Sequence, residues 1–526
     1  MNRRLALGLL LAVAAVALAL RVPDAGTRPL HNDEAVNATT LATLFTEGRY
    51  VYDPHEYHGP TLHYFSLPGL WLSGASSPAE FTDFRLRLVT IFFGTALVLA
   101  TGLFMNGLGR PATLAAAALT AISPAMLFYS RYFIHEMLLV VFTALLLGAS
   151  WRWWQTRKLA WAITAGVALG LMYATKETFL IPLIAIALSL LATRVWEKWL
   201  PIAADPARSE PRPRPWIRPV ALALAVALAV GTAFFTSFFT NWRGLGDSVA
   251  TYLPWLDRAG GASPHIHPWP FYFERLFWFH PARSPVWSEA LIGLLALVGG
   301  GAALSGRGLP PCLDARLARW LTFYTLAMIA GYTLLSYKTP WCLLGFLQPM
   351  LLLAGLGMAV AAHVLAPRAL VLRLLAGSLL VAASLQLTWQ GWRLTHEFAA
   401  DKRNPYAYSQ TLPDVRDIVG RLEGLARVHP DGNAIPVMVV APESYWPLPW
   451  YLRGLSNVGW YDQLPADPFA PVVLASTRVG AALDEKSNRK WLMAGMYPLR
   501  PGAYLELYVD LDLWKRYVAT LPPETE

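Results

Sequence analysis

Charge is what this sequence has least of. Asp, Glu, Lys and Arg make up 15% of its 526 residues, against roughly 25% in soluble domains, which excludes a freely soluble enzyme. Cysteine is nearly absent: Cys312 and Cys342 are the only two, too few for a disulfide framework or a zinc knuckle. There is no GxGxxG turn, P-loop or HExxH helix, so no nucleotide cradle or zinc-protease site is visible. No Lys/Arg run interleaved with aromatics marks a nucleic-acid groove. The net charge of +9 reads instead as the basic excess of cytoplasmic membrane loops. Internal repeats are also missing, which argues against a transporter built from inverted halves.

What the sequence has is apolar length. Hydrophobic residues reach 55% and the mean hydropathy is +0.39. A membrane-crossing helix needs about 20 mostly apolar residues. Eleven segments read as spans: 5–22, 86–104, 112–130, 132–150, 159–175, 178–193, 217–240, 288–304, 320–337, 341–364 and 369–388. The first also has the Arg3-Arg4 start of a signal peptide, but without a clean small-residue cleavage site it reads as a retained anchor. Arginine and lysine favour the cytoplasmic side. With the N-terminus inside, the inner loops collect Arg110, then Arg152, Arg157 and Lys158, then the basic Pro-Arg linker 205–219. The outer side of a cell membrane then receives loops 23–85 and 241–287 and the region 389–526. In that last region 412–428 has helical spacing, while Val437–Val440, Pro471–Leu474 and Tyr504–Val509 read as strands. The expected fold is an all-α polytopic membrane domain, 1–388, with a small C-terminal α/β domain outside the membrane, 389–526.

The outer side also collects the reactive side chains. Asp33 and Glu34 open a short helix over 35–47, where acids commonly cap. A carboxylate at the membrane surface can equally deprotonate a hydroxyl or ligate a cation. Residues 60–74 read as an amphipathic interfacial segment. In Ser130–Glu136, helical spacing would put Tyr132, His135 and Glu136 on one face, with an Arg131–Glu136 pair as the structural reading. Lys176, beside Glu177, and Lys338, beside Trp341, sit at outer helix joints against the basic bias. Either lysine can snorkel to headgroups; together with Arg131 they suggest a phosphate or pyrophosphate site. Eight of the eleven histidines lie outside, among them His31, His58, His63, His135, His265 and His267. His265 and His267 are candidate ligands for Mg, Mn or Zn beside Asp33, on weak spacing. Tyr406, Tyr408, Trp446 and Trp450 suit packing or sugar stacking.

The segments HNDEA, EYHGPTLHY, SRYFIHEM, ATKET, FFTN and YKTPW, with WPLPWYLR further on, resemble the GT-C superfamily of integral membrane glycosyltransferases. The superfamily includes protein O-mannosyltransferases and lipid A aminoarabinose transferases. The pattern is most similar to an archaeal and bacterial subfamily of glycosyltransferase-like proteins associated with flippase activity. The resemblance implies an inverting transfer of a hexose from a polyprenyl-phosphate donor to a protein, lipid or glycan acceptor. It assigns the base to Asp33, with Glu34 as neighbour, and the donor phosphate to Arg131, Lys176 and Lys338. Around them His31, His58, His63, His135, Glu136, Glu177 and Trp341 are expected to bind substrate. The glutamate and histidine that hold metal in some relatives have no clear match, so a divalent metal is left open. The rival readings are a flippase or transporter component for lipid-linked glycans and a non-catalytic glycan-binding membrane protein.

Overall fold

A computed structural model describes residues 1–55, 58–201, 216–255, 265–311 and 313–522; Cys312 lies outside these. Each of the eleven expected segments holds a helix. We label the helices α1 (Arg3–Arg21), α2 (Asn32–Glu47), α3 (Thr61–Leu72), α4 (Asp83–Ala100), α5 (Arg110–Ile122), α6 (Glu136–Thr156), α7 (Leu159–Tyr173), α8 (Leu180–Trp199), α9 (Ile217–Phe235), α10 (Ala290–Ser305), α11 (Ala315–Leu334), α12 (Leu344–Leu365) and α13 (Leu370–Thr395). Among the described residues seven helices are long and apolar enough to cross a membrane, α1, α6, α9 and α13 among them, while α7 and α10 are shorter apolar helices. The protein is a multi-pass membrane protein.

The helices differ in how far they are wrapped. The span ending in α12 is 83% buried and α13 only 6%, so α12 is the centre of the bundle and α13 is exposed along most of its length. Small residues allow the close crossing of α10 and α12. A Cβ on Gly357 would lie 1.9 Å from the Leu295 carbonyl oxygen, and one on Gly299 2.2 Å from that of Leu353; only glycine admits backbones this close.

Several helix boundaries differ from the sequence reading, as at Thr156, Trp199 and the break after Ile122, and two of the differences bear on the site. Helix α13 runs to Thr395, past 388, because its polar Gln390 is buried and satisfied: it accepts from Ser288 N at 2.8 Å and donates to Ser288 O at 3.2 Å. The stretch 130–135 is not helical, so Tyr132, His135 and Glu136 do not share a helix face. Its backbone groups are taken instead by the loop 23–85, loop one, Phe133 N donating to Glu34 Oε1 at 2.8 Å and Arg131 O accepting from Arg28 at 2.8 Å.

Beyond α13 the chain forms, besides shorter helices, α14 (Val415–Val428) and five strands, β1 (Val437–Val440), β2 (Val458–Tyr461), β3 (Val472–Ser476), β4 (Trp491–Arg500) and β5 (Ala503–Asp510). Their order is β2-β1-β3-β5-β4, with β2, β1 and β3 parallel and β5 antiparallel to both β3 and β4. The helical spacing of the apolar residues in α14 brings Ile418, Leu422 and Leu425 onto Val437, Val439 and Leu474 in one core. This unit sits on loop one. Tyr451 accepts from Leu30 N at 2.8 Å and donates to Asp83 at 2.9 Å, and Arg453 donates to Phe81 O at 3.0 Å.

Candidate active site

Loop one folds around a buried carboxylate. His31 caps α2, its ring nitrogen accepting from Asp33 N at 3.1 Å, while its own N–H donates to Glu34 Oε2 at 2.9 Å. This reciprocal capping box starts the helix at Asn32 and turns the two acids in different directions. Glu34 is fully buried. Arg87 grips it with two bonds, 2.8 and 2.9 Å, and Arg28 lies 3.1 Å away. Burial alone would raise its pKa, but Arg28 and Arg87 outweigh it and hold the carboxyl at about 2. With every acceptor position used, Glu34 is a tie between loop one and α4.

Asp33 is different. Its side chain is 51% exposed, and it lines a cavity of about 310 Å³ with His58, His135, Glu136, Lys176, Thr178, Tyr337, Thr339 and Trp341 among the other walls. The α6–α8 side of the cavity is a set of paired charges. Lys176 and Glu136, both buried, form a tight ion pair, and Glu136 raises the lysine pKa against burial. Next to it His58 bonds Glu177 at 2.8 Å, and Tyr52 donates to the other Glu177 oxygen at 3.1 Å. His135 Nε2 meets Gly59 O at 2.9 Å. His63 lies behind His135, ring centroids 5.7 Å apart, and does not line the cavity. Burial holds His63 down to about 3 and His135 well below its ordinary value, so both are neutral at physiological pH.

The third wall is aromatic and basic. Trp341 packs against His31, Tyr132 and Tyr408. Lys338 Nζ donates to the carbonyls of His267, at 3.0 Å, and Leu335, and among the described residues it has no carboxylate partner. Its neighbours Tyr337 and Thr339 line the cavity. His265 and His267 both bond the Tyr408 hydroxyl, at 3.0 and 2.9 Å, and burial lowers both their pKa values. Among the described residues no group of three or more His, Cys, Asp and Glu is arranged to hold a metal. The two histidines do not fit the metal role beside Asp33.

Arg131 is not brought to this cavity. It is buried beside Arg28 and Arg87, which add to the effect of burial in lowering its pKa to about 9, and it forms no pair with Glu136. The sequence reading missed Arg28 and Arg87, although both fall on the side it takes as outer, the signal that drew attention to Lys176 and Lys338. It also missed Asn37, Thr178 and Trp255 of the lining, which carry no distinctive sequence pattern.

Residues 58–241 match the family described as dolichyl-phosphate-mannose-protein mannosyltransferase. No curated protein matches the chain in sequence. In three dimensions it is similar to ArnT of Cupriavidus metallidurans, solved bound to undecaprenyl phosphate, at 15% identity over 98% of this chain and 99% of that one, TM-score 0.61. The apo form of ArnT aligns at 14% identity over 97% and 99%, TM-score 0.64. The oligosaccharyltransferase AglB of Archaeoglobus fulgidus, solved with an inhibitory peptide and a dolichol-phosphate, aligns at 14% identity over 90% of this chain and 69% of its own, TM-score 0.53. The fold is the GT-C fold.

Proposed function

We propose that this chain, which has the fold of the GT-C integral membrane glycosyltransferases, moves a hexose from a polyprenyl-phosphate carrier to an acceptor hydroxyl in the Asp33 cavity. The observation that carries this is the placement of a half-exposed carboxylate, Asp33, on the same cavity as the buried cation of Lys176. The match of residues 58–241 to a family of lipid-phosphate-sugar-dependent transferases supports the reading, as does the undecaprenyl phosphate held by ArnT.

In this mechanism Asp33 takes the proton of the acceptor hydroxyl as its oxygen attacks the anomeric carbon. The bond from that carbon to the phosphate oxygen breaks, and the phosphate departs on its polyprenyl carrier. Lys176 offsets the charge gained by the leaving group, with Lys338 at the neighbouring wall. A single displacement inverts the anomeric centre. His58 and His135, neighbours on the lining, offer hydrogen-bonding edges to the sugar, and Trp341 a ring face. The acceptor is a protein, lipid or glycan. The cavity and the C-terminal sheet lie on the outer face of the cell membrane, with the N-terminus in the cytoplasm.

The test uses purified protein in lipid nanodiscs with radiolabelled polyprenyl-phosphate hexoses, following release of free polyprenyl phosphate with and without chelator. Asp33→Asn is expected to lower release by about 100-fold or more without changing the melting temperature, since the side chain is half exposed. Full activity in that variant refutes the assigned base. Absence of turnover with every donor refutes the transferase, and headgroup translocation in vesicles would identify a transporter instead. The chelator arm reads directly whether a divalent ion is required.

A further inference from the structure

Deeper along α6 than the Asp33 cavity lies a recess of about 20 Å³, room for one water or one hydroxyl group and too little for a sugar ring. Glu136, Thr178, Tyr332, Trp341 and Cys342 line both spaces, so the recess adjoins the cavity along a shared wall. It extends to Thr143, two turns along α6 from Glu136, and to Gln348 in α12.

Two features mark the recess as a place where something polar binds. The first is an amide without a partner. Gln348 is 4% exposed, and among the described residues nothing bonds its side chain. The Tyr324 hydroxyl is also unpartnered, but it is sealed; the Gln348 amide is not, and the surface it keeps faces the recess. A buried amide is costly unless a polar group meets it. Thr143 adds an acceptor, since its hydroxyl donates to Leu139 O at 2.8 Å and keeps its lone pairs. The second feature is Gly345, on the same lining one turn before Gln348. A Cβ there would come within 2.8 Å of the Tyr332 ring and 3.1 Å of its hydroxyl, so glycine is what leaves Tyr332 and the recess in place.

The occupant is therefore small and uncharged. Glu136 is the one charged side chain on this lining among the described residues, and Lys176 already neutralises it. We propose that the recess receives the exocyclic hydroxymethyl group of the donor hexose, its hydroxyl bonded to the Gln348 amide, while the ring stays in the Asp33 cavity. A ring hydroxyl lies one bond from the ring; the hydroxymethyl oxygen lies two bonds away and reaches where the ring cannot follow. Gln348 is then a specificity-determining residue that favours hexoses over pentoses, 6-deoxyhexoses and uronic acids, whose carboxylate would face Glu136. This rests on the transferase reading.

The nanodisc release assay tests it with polyprenyl-phosphate mannose, glucose and galactose, each beside its 6-deoxy and 4-deoxy analogues. For the hexose that is turned over, loss of the 6-hydroxyl is expected to lower kcat/KM by about 10- to 100-fold, the scale of a buried amide left unpaired. Loss of the 4-hydroxyl should cost less. Gln348→Met keeps the length of the side chain without its hydrogen bonds. It is expected to lower kcat/KM for the hexose about tenfold and to bring the hexose and its 6-deoxy analogue close to equality. The comparison of donors in the parent protein decides even where that variant fails to fold. Equal use of the 6-deoxy donor, as a recess holding only water would give, overturns the assignment and leaves the transferase standing. So does a larger penalty for the 4-deoxy donor, or an undiminished preference in Gln348→Met. Absence of turnover with every hexose removes both.

Discussion

Two buried glutamates on the same face of the bundle hold their cations in different ways. Glu34 accepts from two arginines and two backbone amides and is cut off from both water and the cavity. Glu136 has one cationic partner, Lys176, and both line the cavity. The first arrangement uses every lone pair to fix loop one against α4 and the 130–135 turn. The second leaves a lysine whose remaining donors face a space where an anion can enter. A buried ion pair is weak evidence of either stability or function on its own; what separates these two is how many acceptors are already filled and what lies beside them.

Breaking the first arrangement should have the larger effect. Arg87→Met leaves Glu34 without its bidentate partner, and removing one member of a buried pair costs about 3–5 kcal/mol. We expect a large drop in melting temperature and loss of the Asp33 cavity together, read by thermal unfolding in detergent. A melting temperature near that of the parent would remove Glu34 from its structural role.

Acid should act on the same tie. The Glu34 carboxyl is held at about 2, against 4.5 for a free one, so its contribution is complete above about 4.5 and is lost as pH falls toward 2. The shift corresponds to about 3 kcal/mol. Stability measured from pH 7 down to pH 5 should stay level with respect to this group and fall below that. Glu34→Gln should abolish this part of the acid dependence.

The smallest effect belongs to the cavity pair. Lys176→Met removes the cation assigned to the departing phosphate and is expected to lower kcat at least about tenfold; it also strips Glu136 of its cation, but that carboxylate lines the cavity, where water can reach it, so less loss of stability is expected than in Arg87→Met. Equal loss of stability in the two variants would erase the distinction drawn here.

How much of this was legible in the sequence follows the same division. Apolar runs of about 20 residues located every long helix, since period and length need no partner to be read. In the C-terminal sheet the inner strands β1, β3 and β5 were legible as apolar or alternating runs. The two edge strands, β2 with its Gly459 and β4 with Gly495 and Pro498, were not: an edge strand is half exposed and tolerates residues that a central strand excludes. Asp33 was legible as a candidate, but nothing local separates it from Glu34. Their different fates depend on Arg28 and Arg87, and on the amide of Phe133, which is 99 residues away in sequence from Glu34. Arg131 misled for the same reason: its position at a helix joint said nothing of its direction, which was set by arginines remote in sequence.

The seating of the C-terminal unit on loop one has a consequence in time. Arg28, which holds Glu34, is itself held by Gln410 at 2.9 Å, and Gln410 also donates to Pro29 O at 3.0 Å. Leu30 is bonded to Tyr451, 421 residues downstream. During synthesis the membrane helices can insert one after another, yet the residues that brace the Asp33 turn emerge from the ribosome only after all of them. The first loop to be made is therefore the last to be locked, and a chain that stops short of Tyr451 has its full set of membrane helices without the brace beneath Asp33.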